Sequence, residues 1–85
     1  MITFHRNFKK AYKKLPSRIQ RKMDERISVF SENAFHPTLN NHPLKGKYLG
    51  YRSINIDGDI RAVYKKLERD TVIFTSLGSH SDLYS

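Results

Sequence analysis

Phe8, Ala11, Tyr12 and Leu15 recur at i, i+3, i+4 and i+7, the spacing that lines one face of a helix. Pro16 ends that pattern, and Ile19, Met23, Ile27, Phe30 and Ala34 resume it on a second helix. Ser17-Arg18-Ile19-Gln20 reads as a capping box opening this second helix, with Ser17 accepting and Gln20 reaching back. Residues 2–5, just before the first helix, form a short apolar strand candidate. Residues 35–43 hold two prolines and paired asparagines and read as a loop. Alternation then takes over, predicting strands near 48–56, 60–67 and 71–77, with turns at Asp57-Gly58-Asp59 and Glu68-Arg69-Asp70.

Strand registers follow from parity, because opposite residues of an antiparallel pair share a sheet face. A three-residue loop at 57–59 pairs Ile56 with Ile60, Ile54 with Ala62 and Asn55 with Arg61. It gathers the isoleucines on one side, each worth ~1.5–3 kcal/mol when buried. A tighter Asp-Gly turn is the stronger local signal but sets Ile54 beside Arg61. Closing the second hairpin on Glu68 and Thr71 places Arg61 opposite Gly78, Val63 opposite Ser76 and Lys65 opposite Phe74. One face, with Ile54, Ile56, Ile60, Ala62, Tyr64, Ile73 and Leu77, is then expected to pack on the helices. The other, with Ser53, Asn55, Arg61, Lys65 and Ser76, is too polar for a core. It brings a guanidinium, an amide, the imidazole of His80 and the carboxylate of Asp59 near one another, a combination suited to holding phosphate.

Composition narrows the partners. The 85 residues make a single α+β domain over 1–85. Sixteen Lys and Arg against eight Asp and Glu give a net charge of +8. Nine of the basic residues fall between Arg6 and Arg26. Such a surface attracts polyanions by counterion release. There is no cysteine, so disulfides and thiolate metal sites are excluded. No histidine pair has convincing metal spacing, and neither metal nor cofactor is expected. His5 and His36 read as structural or surface residues. No apolar run approaches the ~18 residues of a membrane span. The N-terminus carries charges where a leader needs an apolar block. A soluble cytoplasmic chain with no membrane partner is expected.

Four motifs then stand in order: His42-Pro43-Leu44-Lys45-Gly46, Gly50-Tyr51-Arg52, Ile60-Arg61-Ala62-Val63-Tyr64, and Gly78-Ser79-His80-Ser81-Asp82-Leu83-Tyr84. With one strand, two helices and a three-stranded antiparallel meander packed against the helices, the chain resembles the RelE-like bacterial toxins, and within them the YafQ branch. The resemblance spans the whole chain and is strongest from His42 to Tyr84. It implies a ribosome-dependent endoribonuclease that enters the 30S A site and cuts mRNA there without a metal. The ribose 2′-hydroxyl is the nucleophile and a 2′,3′-cyclic phosphate the product.

By the same resemblance, His42, Asp59 and His80 fall on catalytic positions, Tyr84 on a functional terminal aromatic, and Arg61 on the place of a phosphate-binding arginine. His80 is expected as general acid and His42 or Asp59 as base, and the two labels can be exchanged. Lys45, Lys47, Arg52, Asn55 and Lys65 are the expected RNA contacts, and Tyr84 is expected to stack on or orient a nucleotide. The chain departs from the YafQ pattern at Asn55, where that branch has a histidine, and at Ile60, where it has a tryptophan. The implied partner is an acidic antitoxin, with the toxin alone a monomer. Two other classes stay open: a non-catalytic RNA- or DNA-binding module, which explains the charge, and a plain protein-interaction domain.

Overall fold

In the computed structural model, which describes residues 1–84 with Tyr84 in its backbone only, the chain starts with strand β1 (Ile2–Phe4). Helices α1 (Arg6–Lys13) and α2 (Ser17–Glu32) follow. A 3-10 turn (Pro37–Leu39), the two-residue strand β2 (His42–Pro43) and a second 3-10 turn (Gly46–Tyr48) come next. Strands β3 (Arg52–Asp57), β4 (Ile60–Glu68) and β5 (Thr71–Ser79) lead into a short helix, α3 (His80–Tyr84). The sheet has five strands in the order β1-β5-β4-β3-β2. The expected meander is its centre, β1 adds in parallel to β5, and β2 adds antiparallel to β3. The first strand of the meander starts at Arg52 rather than near 48, because Gly46–Tyr48 closes a 3-10 turn.

The helices begin differently from the sequence expectation. Pro16, not Ser17, is the N-cap of α2, and no side chain caps it. Gln20 Nε2 donates instead to the Tyr12 carbonyl at 2.9 Å, tying the second helix to the end of the first. The link between them is so short that Ser17 is already helical. His5 and His36 do the capping that Ser17 does not: each ring accepts from a backbone N–H two residues on, His5 from Asn7 and His36 from Thr38.

The hairpins reach the expected core by a different route. Ile54 pairs with Ala62 and Asn55 with Arg61 as parity requires, but Asp57, not Ile56, faces Ile60. Ile56 is an extra residue on β3, and such a bulge lets a strand keep its faces across a tight turn. The turn is two residues, Gly58-Asp59, with Gly58 at φ 50, a left-handed conformation that suits glycine. On the second hairpin, Arg61 faces Gly78 and Val63 faces Ser76, while bulges at Thr75 and Leu67 shift the stretch between them. Lys65 therefore faces Ile73 rather than Phe74, and Tyr64 faces Phe74. This corrects one core assignment: Phe74 is fully buried on the helix side, and Ile73 lies on the open side with Lys65.

Phe74 is the hub of that core. Its ring lies 5.2 to 5.9 Å from those of Phe4, Phe8, Phe30 and Tyr64, distances at which aromatic pairs attract. The shift thus exchanges a β-branched aliphatic for a ring that four others can contact.

Candidate active site

β2 accounts for a residue that parity alone left unplaced. His42 pairs with Ser53, so its side chain stands on the open face beside Ser53. Two residues earlier, Asn40 ends the first 3-10 turn in a left-handed conformation, φ 45 and ψ 50, which asparagine tolerates better than most residues. Its carbonyl oxygen lies 2.9 Å from His42 Nδ1 and accepts from Arg61 Nη2 at 3.3 Å. His42 Nδ1 is also 3.3 Å from Arg61 Nη2. A carbonyl only accepts and a guanidinium only donates, so Nδ1 satisfies one of them at a time. The shorter contact assigns the proton to Nδ1, donating to Asn40, and leaves the Nε2 lone pair unengaged by these bonds.

Arg61 is held from below as well. Its Nε donates to Ser53 Oγ at 2.6 Å, and Ser53 is fully buried. Ser53 and Asn40 thus fix the guanidinium plane at two points. These contacts use two of its five N–H donors, and the rest can take an anion.

His80 arrives from the opposite side. Ile60 pairs with Ser79, the last residue of β5, and His80 opens α3. The start of α3 is a reciprocal cap: Asp82 N–H donates to Ser79 Oγ and Ser79 N–H to Asp82 Oδ2, both at 3.1 Å. Gly78 makes room for it, since a Cβ there would lie 3.2 Å from both Cβ and Oδ2 of Asp82. The sequence expectation ended its last strand near 77 and named no element beyond it, yet the Ser79-x-x-Asp82 spacing is a readable helix start. Asn40 and the anchoring role of Ser53 had no comparable signal, because both depend on partners distant in sequence.

His42, Leu44, Lys45, Arg61 and His80 line one pocket of about 230 Å³. No carboxylate among the described residues lines it. Among the described residues, no group of three or more His, Asp or Glu could hold a metal ion. Positive charge in the pocket therefore comes from Arg61 and Lys45, joined by the imidazoles when protonated.

Other residues singled out from the sequence fall elsewhere. Asp59 is exposed in the β3–β4 turn and does not line the pocket. Asn55 sits opposite Arg61, half-buried. Lys47 and Lys65 line a separate cavity on the open face. Arg52 is on the other side of the sheet, across from Tyr64, where its Nε donates to Asn41 Oδ1 at 2.7 Å and its guanidinium lies 5.1 Å from the Phe35 ring centre. The aromatic expected at Tyr84 lies outside the described side chains.

Comparison with known proteins places the chain in a family. A family profile described as "Bacterial toxin of type II toxin-antitoxin system, YafQ" matches residues 1–85. No curated protein matches the sequence significantly. Among solved structures, YafQ from E. coli strain BL21(DE3) superposes with a TM-score of 0.83 at 22% identity, covering 100% of this chain and 98% of that one. A chain of the E. coli DinJ-YafQ toxin-antitoxin complex gives 0.80 at 24% identity, covering 100% and 97%. The YoeB/ParE toxin from Agrobacterium tumefaciens gives 0.78 at 20% identity, covering 93% and 96%. At these identities the superpositions establish a shared fold, and the profile match over the whole length establishes the kinship: the chain belongs to the YafQ family of bacterial toxins of type II toxin-antitoxin systems.

Proposed function

We propose that this toxin is a ribosome-dependent endoribonuclease that cuts mRNA in the ribosomal A site by attack of a ribose 2′-hydroxyl on the adjacent phosphate. The observation that carries this reading is the single pocket shared by His42, Arg61, His80 and Lys45. In-line cleavage needs a base for the 2′-proton, an acid for the departing 5′-oxygen and positive charge on the phosphorane. Two imidazoles and a guanidinium meet those needs.

Of the two expected bases, His42 lines the pocket and Asp59 does not. With Nδ1 donating to Asn40, His42 Nε2 takes the 2′-proton as the 2′-oxygen bonds to phosphorus. Arg61 neutralises the added charge. His80 gives a proton to the 5′-oxygen as the P–O5′ bond breaks, leaving a 2′,3′-cyclic phosphate and a free 5′-hydroxyl. Lys45 and Asn55 contact the flanking backbone. Tyr84 stacks on the A-site nucleotide. The cognate antitoxin is acidic, as complementarity to a +8 chain favours, and it blocks the open face. The toxin alone is a monomer of the cytoplasm.

Translation in vitro with purified toxin, followed by reverse-transcription mapping of transcript ends, tests this. Cuts on translated message alone are expected. Cuts on naked RNA would remove the ribosome from the mechanism, and intact message would remove the nuclease.

A further inference from the structure

We propose that a second cavity on the open face, built on Tyr48 and Tyr51, is a stacking subsite for single-stranded RNA running away from the cut linkage. This rests on the nuclease reading for its direction along the RNA, and on separate residues for its chemistry.

The cavity measures about 580 Å³, and its walls include Lys47, Tyr48, Tyr51, Lys65 and Ser76. The tyrosine rings stand edge to face, 5.8 Å apart at 81°. Each has a lysine ammonium 5.4 Å from its centre, Lys47 by Tyr48 and Lys65 by Tyr51. Both rings are half-exposed and lie outside the aromatic core around Phe74. Among the described residues, no carboxylate lines the cavity. Rings with adjacent ammonium groups match the two halves of a nucleotide: the π-face takes the base, and the lysine, on its flexible stem, swings to the phosphate.

Continuity with the first pocket gives the direction. Arg61, Val63 and Lys65 alternate onto the same face of β4, so the two cations stand ~13 Å apart at ~3.3 Å per residue. Ser76, opposite Val63, bridges the interval and lines the cavity. An extended strand whose phosphate sits on Arg61 thus passes over Val63 and reaches the Tyr51 ring.

Fluorescence anisotropy with the full chain and a labelled 2′-O-methyl RNA of about ten nucleotides, which cannot be cut, tests the subsite. Tyr51→Leu is expected to weaken binding about 5- to 150-fold, while Tyr51→Phe, which keeps the π-face, stays within about twofold. Lys65→Gln lowers the slope of log affinity against log salt by about 0.7, one single-strand phosphate. Wild-type affinity in a folded Tyr51→Leu chain overturns the subsite, as does a wild-type chain that does not bind. If Tyr51→Leu fails to fold, an unchanged salt slope in Lys65→Gln overturns it instead. Mapping cleavage in parallel separates the two readings. Cleavage with unaltered Tyr51→Leu affinity removes only the subsite, and Tyr51-dependent binding without cleavage removes only the nuclease.

Discussion

The two faces of one sheet are built on opposite principles. On the helix side, Ile54, Ile56, Ala62 and Phe74 are buried and satisfied by contact with other apolar groups. On the open side, Ser53 and Val63 are fully buried too, but Ser53 is there to hold Arg61. Burial on one face generates stability, and on the other it immobilises a cation. Polar groups that are rigidly held before a ligand arrives need not reorganise when charge develops, the usual source of electrostatic catalysis.

This contrast is sharpest where it is easiest to break. Phe74→Ala removes the ring that four others touch and is expected to cost ~3–5 kcal/mol, much of the stability of so small a domain. A urea melt of the variant checks it, and a loss under ~1 kcal/mol would show that the core does not centre there. His80→Ala, on the exposed side, should shift the melt far less than Phe74→Ala while lowering transcript cleavage roughly 10²–10⁴-fold. Full cleavage by that variant would take His80 out of the chemistry.

Ser53→Ala probes the boundary between the faces. It leaves Arg61 Nε without its partner, with an expected loss of ~1–3 kcal/mol. Cleavage should fall through the catalytic rate more than through KM, because the arginine remains but is less well aimed. Asp82→Ala unmakes the reciprocal cap of α3 at about 1 kcal/mol or less. Its sharper readout is the imidazole resonances of His80, which should broaden or shift in NMR as the ring loses its fixed entry into the pocket.

The smallest effect lies on the helix side, where Tyr12 donates to Asp24 Oδ1 at 2.8 Å. That hydrogen bond, then burial, then the Asp24 charge raise the phenol above its ordinary value of 10.0. A folded-state pKa above the unfolded one gives stability that is whole below that ordinary value and is lost as pH rises through the raised one. Wild-type stability should therefore fall more steeply than that of Tyr12→Phe in alkaline urea melts, by at most ~1 kcal/mol for so exposed a pair. Parallel curves would show that the bond adds nothing.

Much of the architecture was legible because periodicity reports burial one residue at a time. The two helices, the N-terminal strand and the pairs Asn55–Arg61, Arg61–Gly78 and Val63–Ser76 follow from spacing and parity. Parity failed wherever a bulge inserted a residue. Ile73 and Phe74 exchanged faces because the exchange lets five rings meet, a gain invisible to a rule that counts only alternation. His42 was named from a motif but could not be placed, since a two-residue strand has no period to read.

What the chain determined by itself, then, was which residue types were available and which stretches alternate: the excess of cations, the absence of thiols, the helix faces, and a polar side to the meander. Tertiary structure alone decided that the carbonyl of Asn40 and the hydroxyl of Ser53 would grip one arginine, and that His42 and His80 would share its pocket. The two grips on Arg61 span 8 and 21 residues, and the two imidazoles arrive on β2 and just after β5, strands that β3 and β4 separate. No local propensity encodes them, because their energy exists only once the strands between have paired.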